Sequence, residues 1–222
     1  MITNKAYSSG RYYRQTYLAR QMNLVQSTDW MMNYFKAVKR IFPRIYQYQN
    51  KKILEIGAGF GGFINILNGL GFKHVVAADM SKAIFSKSLS NELVTLNLEG
   101  RRPIGRKFDL IFAFDVMEHV DDTGRAVKNL SEILTPDGIF IFCVPYPFKK
   151  HLLDNFHTNM QYPNYYVNIF RQNDFKLIAM QDISFVPFLW RVKFPVSLKR
   201  VVNSRFLISE TFFVFQKNQE PA

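Results

Sequence analysis

The chain has 222 residues, enough for one buried core and too few for two full enzyme domains. Hydrophobic residues make up 48%, with 22 Phe and 11 Tyr, which excludes a disordered chain. No uncharged apolar run approaches the ~20 residues that span a bilayer, and the start, MITNKAYSSGRYYRQ, has no apolar signal-peptide region. The one cysteine, Cys143, lies in the apolar run GIFIFCVP, where burial in a strand is expected, so a reducing, cytoplasmic setting fits.

The net charge of +12 is unevenly spread: residues 1–52 carry +9, residues 53–150 balance to 0, and residues 151–222 carry +3. A positive field in one segment suits an anionic small-molecule acceptor, RNA or acidic lipid; it also suits solvated helix faces that aid solubility.

The first 50 residues read as a helical cap. In DWMMNYFKAVKRIF, residues Trp30, Met31, Tyr34, Phe35, Val38 and Ile41 recur at three- and four-residue steps, and Pro43 ends the helix near Phe42. KKILEIGAG is then a short strand breaking into glycines, and FINILNGLG a helix. HVVAAD is a second strand and SKAIFSKSLSN a helix capped by Ser81. ELVTLNL is a third strand, FDLIFAFDV a fourth, RAVKNLSEIL a helix, and GIFIFCVP a fifth strand after the Pro136-Asp137-Gly138 turn. YYVNIFRQNDF reads as a helix ending near Asn173, with KLIAMQDISF and ETFFVFQK as the last strands. Apolar strands alternating with helices indicate an α/β fold, a doubly wound parallel sheet covered on both faces. Together the cap (1–50), the core (51–145) and the remainder (146–222) read as one domain.

The stretch ILEIGAGFGGF runs from strand through glycines into helix, so the backbone can approach a ligand at a helix N-terminus. Gly57, Gly59 and Gly62 fit the dinucleotide pattern G-x-G-x-x-G. Gly57, Gly59 and Gly61 equally fit the G-x-G-x-G of methyltransferases, and Asp79, closing the second strand, suits ribose hydroxyls in either case. Glu55 separates the two. A carboxylate beside the loop would repel the pyrophosphate of NAD, whereas S-adenosylmethionine has no phosphate and carries an ammonium and a sulfonium. Glu55 could instead serve only as a helix-dipole or loop partner, although a charged residue inside a buried strand is seldom idle.

From these residues the chain resembles the class I S-adenosylmethionine-dependent methyltransferases, in particular the small-molecule type with a D-V-x-E-H-V motif. The resemblance rests on ILEIGAG, Asp79 with Met80, Asn97 with Leu98, FDLIFAFDVMEHV, and LSEILTPDGIFIFCVP. It implies a Rossmann-like, seven-stranded, mostly parallel sheet whose last strand is antiparallel, and S-adenosylmethionine as cofactor. It also implies that Gly57 and Gly59 line the methionine portion, Glu55 reaches the ammonium, Asp79 holds the ribose and Met80 packs on adenine. Asn97 stands where many members have an Asp bonded to the adenine amino group, and Asp115 completes the cofactor-facing set.

Beyond the fourth strand, His119 is the nearest residue able to act as a base near neutral pH, although Glu118 and His119 could equally brace the loop. His157, before the helix that leads to the sixth strand, is a second catalytic candidate. In ubiquinone-pathway O-methyltransferases and small-RNA 3′-end methyltransferases a related E-x-x-E-H run binds a divalent metal, which would use Asp115, Glu118, His119 and His157 here. The common form of the motif binds none, and no metal is expected. The sequence lacks N-P-P-Y, D-P-P-Y and a Pro-Cys nucleophile, which argues against DNA base methylation.

The expected activity is methyl transfer to O or N of a small molecule such as a sugar, quinone precursor or envelope intermediate. RNA methylation is the alternative that Tyr7, Tyr12, Tyr13 and Tyr17, among Arg11, Arg14 and Arg20, would serve. A non-catalytic binding or scaffold module is a third reading, and an NAD-dependent oxidoreductase a distant fourth. The aromatic and basic insertion over 185–200 suits peripheral membrane contact, a pocket wall or a dimer contact.

Overall fold

The computed structural model describes residues 23–82, 85–100, 104–147, 159–185, 197–199 and 209–219. The cap helix α1 (Leu24–Ile41) starts at a reciprocal capping box: the Asn23 side chain accepts from the Gln26 amide while the Gln26 side chain accepts from the Asn23 amide. It ends where expected, at Phe42, and Pro43 opens a 3-10 helix, Pro43–Tyr48.

The core follows as β1 (Lys52–Ile56), α2 (Gly62–Gly69), β2 (His74–Asp79), β3 (Leu93–Thr95), β4 (Phe108–Phe114), α3 (Thr123–Ile133), β5 (Leu134–Pro145), α4 (Pro163–Arg171), β6 (Phe175–Phe185), β7 (Ser197–Lys199) and β8 (Glu210–Lys217). The strands form one sheet in the order β3-β2-β1-β4-β5-β8-β6-β7. Pairing from β3 through β5 is parallel, and β8 runs antiparallel to both β5 and β6. These are the seven anticipated strands with the last one antiparallel; β7 adds a three-residue edge within the insertion.

Side chains alternate along each strand to feed two cores. Ile53, Leu110, Phe112, Ile141 and Val214 pack with α1 and α2 on one face. Leu54, Ile111, Phe140, Phe142, Phe213 and Phe215 pack with α3 and α4 on the other. Phe142 stacks on Phe213 at 4.7 Å and Phe170 on Phe215 at 4.4 Å, so this second face is built largely from parallel rings.

Two expectations are corrected. The predicted helix over SKAIFSKSLSN is absent from its described part: Ser81 and Lys82 are irregular chain, and residues 85–91 hold only bends, a turn and irregular chain. Its serines bond locally instead. Ser86 Oγ lies 2.9 Å from Ser88 Oγ, and the Asn91 side chain donates to the Val75 carbonyl at 2.9 Å. Such side-chain bonds compete with a helical backbone. The Pro136-Asp137-Gly138 turn also falls inside β5, as a bulge with Asp137 at φ +60 rather than a break before the strand.

The cap helix meets the glycine loop backbone to backbone. A Cβ on Gly62 would lie 2.6 Å from the Ser27 carbonyl carbon and 2.7 Å from its oxygen. We expect Gly62→Ala to destabilise the protein by about 1–3 kcal/mol in denaturant unfolding. Adding Ser27→Ala should not restore the loss, because backbone atoms make the clash.

Candidate active site

β1 and β4 lie side by side and parallel, with Ile56 level with Ala78 on β2 and Ala113 on β4. Gly57, Asp79 and Phe114 therefore leave the sheet together at its carboxyl edge, the crevice where open α/β sheets hold ligands. Gly57, Gly59 and Gly61 have φ of +77, +51 and +84, a region that side chains disfavour. A Cβ on Gly57 would come within 2.5 Å of Val116 Cγ2, so this loop is closely fitted to the turn after β4.

Glu55 and Asp79 flank the loop, 3% and 2% exposed. Asp79 ties the loop to β2: its Oδ2 accepts from the Gly59 amide at 2.9 Å and its Oδ1 from the Ser81 amide at 2.9 Å. Burial, and then the charge of Asp79, push the Glu55 carboxyl well above the usual carboxylate range, while the Ile64 amide in the first turn of α2 pulls it back. Glu55 Oε2 has no hydrogen-bond partner among the described residues. The amide of α2 thus meets Glu55 as a helix partner would, and Oε2 is left over from that contact. A buried acceptor oxygen beside tight glycines fits a cationic hydrogen-bond donor and opposes a pyrophosphate.

Met80, half-buried, follows Asp79 directly. Asn97 closes a turn, its Oδ1 accepting from the Glu99 amide at 2.9 Å. Asp115, with φ +52, lies just past β4, where Tyr34 Oη from α1 donates to its Oδ2 at 2.8 Å. Cys143 is fully buried in β5, as anticipated, and its Sγ stands 3.5 Å from Asp115 Oδ1.

The turn Met117–His119 is a 3-10 helix in which Glu118 is fully buried. His119 Nε2 stands 3.9 Å from Glu118 Oε1. Asn159 pins the following connection to this turn. Its amide donates to the Glu118 carbonyl at 2.9 Å, and its Nδ2 to the Val120 carbonyl and Thr123 Oγ1, each at 2.8 Å. His157, the Tyr/Arg cluster over residues 7–20 and residues 186–196 of the insertion lie outside the described residues.

Sequence reasoning missed Tyr34, Asn159 and Glu210. Tyr34 sits on the apolar helix face, where a phenol reads as core. Glu210 carried a usable signal: it is a carboxylate heading a strand with the apolar run Phe212 to Phe215. Among the described residues, no helix is long and apolar enough to cross a membrane.

Residues 28–181 match the family model of a methyltransferase domain. The chain is 25% identical over 170 residues to a protein of Dictyostelium discoideum named ubiquinone biosynthesis O-methyltransferase, mitochondrial, with 57% of this chain and 53% of that protein covered. The chain spans about half or less of the length of the curated relatives it matches. Among solved structures, an S-adenosylmethionine-dependent methyltransferase from Mesorhizobium loti superposes with a TM-score of 0.64 at 13% identity, covering 83% of this chain and 98% of that one. The [4+2]-cyclase SpnF superposes with a TM-score of 0.61 at 12% identity, covering 83% of this chain and 82% of its own. With the family model matching more than two-thirds of the residues, the chain belongs to the methyltransferase-domain family, and it shares its fold with S-adenosylmethionine-dependent methyltransferases of known structure.

Proposed function

We propose that this protein transfers a methyl group from S-adenosylmethionine to an O or N atom of a small molecule. The observation that carries the reading is Glu55, a buried carboxyl with a partnerless oxygen beside the glycine loop. That oxygen would receive the ammonium of the methionine portion, while Gly57 and Gly59 leave room for its backbone. Asp79 would hold the ribose, Met80 would pack on adenine and the Asn97 amide would meet the adenine edge. When bound, the cofactor supplies an electrophilic methyl on a sulfonium. The protein's part is to align the acceptor and exclude water. A sugar, a quinone precursor or an envelope intermediate suits such a site, and the name of the Dictyostelium relative supports an O-acceptor.

The likeness to a [4+2]-cyclase means that fold alone does not carry methyl transfer, so ligand binding is the deciding test. Calorimetric titration should give micromolar affinity for S-adenosylmethionine and S-adenosylhomocysteine, lost in Asp79→Ala. Glu55→Gln keeps the shape but removes the charge, and should weaken both ligands by about 2 kcal/mol, roughly thirtyfold. No binding to the folded wild type would overturn the reading.

Without ligand, the raised Glu55 carboxyl has a stability signature. The folded state holds this proton to higher pH than the unfolded chain does, so stability falls as pH rises above the ordinary value of 4.5 and through the folded one. Glu55→Gln should remove this component. Its stability relative to wild type should increase from pH 4 to pH 8 in urea unfolding; a pH-independent difference would contradict the assignment.

A further inference from the structure

Around Asp115, which the family resemblance places on the cofactor-facing side, the turn after β4 gathers polar side chains that the cofactor reading leaves unused. Asp115 accepts from Tyr34 Oη at 2.8 Å and lies 3.5 Å from the Cys143 thiol. Glu210, at the head of β8, pairs with Pro145 on β5 and Ile183 on β6, and this register delivers its carboxyl to the same place. One ligand atom from each of Asp115, Cys143 and Glu210 lies within 4.8 Å of the other two. Glu210 is 9% exposed, and its Oε2 has no hydrogen-bond partner among the described residues.

Two carboxylates this close and this buried resist ionising together; a single proton between them turns repulsion into a hydrogen bond. Burial, then the charges of Asp115 and Glu118, push Glu210 well above the usual carboxylate range. Glu210 therefore holds the proton and Asp115 accepts it. The titratable groups facing the pair are Tyr34 from α1, Cys143 from β5 and Glu118 from the turn after β4. Burial raises both Tyr34 and Cys143, so neither carries charge at neutral pH. Asp182 on β6 is engaged by Thr211 Oγ1 at 2.8 Å. Asp115 is the half-buried, accessible member, and its neighbour Val116 fits against Gly57.

We propose that Asp115 and Glu210, sharing one proton and positioned by Tyr34, form the acceptor subsite, which takes an O–H or N–H compound in uncharged or cationic form and receives its proton. This rests on the methyl-transfer reading above. As the acceptor atom bonds to the methyl carbon, the methyl–sulfur bond breaks with its electron pair on sulfur, and the acceptor proton passes to Asp115. The pair goes from one proton to two, losing one negative charge as sulfur loses its positive one. Asp115 is then the catalytic base, and Glu210 and Tyr34 are positioning residues. An acceptor entering as an anion meets like charge here.

The test needs no acceptor. Infrared spectroscopy at neutral pH, in the Glu55→Gln background that removes the other raised carboxyl, should show the carbonyl stretch of a buried protonated carboxyl that Glu210→Gln removes. Calorimetry across pH should show the affinity ratio of S-adenosylmethionine to S-adenosylhomocysteine rising with pH, because the sulfonium favours the ionised pair. The rise approaches tenfold per pH unit where binding releases a full proton, and it should be flat in Glu210→Gln. Tyr34→Phe should keep the band and move the rise to higher pH, since it removes a donor to the anion. A Glu55→Gln background without the band, a band unchanged on adding Glu210→Gln, or a pH-independent ratio in the wild type would each overturn the proposal. The wild-type calorimetry holds even if a variant fails to fold. Failure of both ligands to bind would sink methyl transfer itself and the subsite with it, while the band would still report whether the shared proton exists.

Discussion

Parallel pairing of β1 with β4, with β2 beyond β1 and β5 beyond β4, makes four strands end at one edge of the sheet, and that edge is lined with carboxyl groups. Glu55, Asp79, Glu118 and Glu210 are all buried there or on the adjoining turn, with Asp115 among them. Burying carboxylates is costly unless donors or protons meet them. The protein meets this one group at a time. Asp79 takes two backbone amides, Asp115 takes the Tyr34 hydroxyl, Glu55 takes one amide of α2, and burial with neighbouring charge raises the Glu210 carboxyl, which favours its protonated form. Glu55 and Glu210 each keep one oxygen without a hydrogen-bond partner among the described residues, so the edge is held together while staying rich in acceptors.

The cap helix ties the two halves of this edge together. Through Ser27 it presses on Gly62, at the start of the helix that follows the glycine loop, and Asn65 on that helix donates to Thr28 at 3.2 Å. Two turns further along, Tyr34 reaches Asp115. One rigid helix thus touches the element that shapes the cofactor loop and the residue proposed to receive a proton. A shift of α1 would disturb both, which links cofactor binding to the acceptor side through a packed element.

Much of this was legible in the residues. The alternation of apolar strands and helices, the glycines, Glu55 and Asp79 are local signals, because backbone conformation and burial follow from a few neighbours. The serine-rich stretch after β2 misled because its apolar residues suggested a helix, while its hydroxyls and Asn91 bond to nearby groups in turns. The Asp115 cluster was hidden for a different reason. Tyr34, Asp115, Cys143 and Glu210 come from four elements spread over most of the chain, and only sheet order and register bring them together. β8 inserts between β5 and β6, so Glu210 arrives beside a residue 95 positions earlier only once the antiparallel register is known.

A fold shared by methyltransferases and a [4+2]-cyclase supplies the crevice without prescribing the reaction. What distinguishes this chain must therefore lie in the charges placed along the crevice. In the proposed reading, Glu55 and Asp79 favour a ligand that is cationic and free of phosphate on the β1–β2 side. The Asp115–Glu210 pair makes a different demand on the β4–β8 side, for a group that arrives with a proton to give. Methyl transfer from a sulfonium to an O–H or N–H group satisfies both demands at once, because the charge lost at sulfur is matched by the charge neutralised at the pair. That complementarity, more than the shape of the sheet, is the physical case for the proposed reaction.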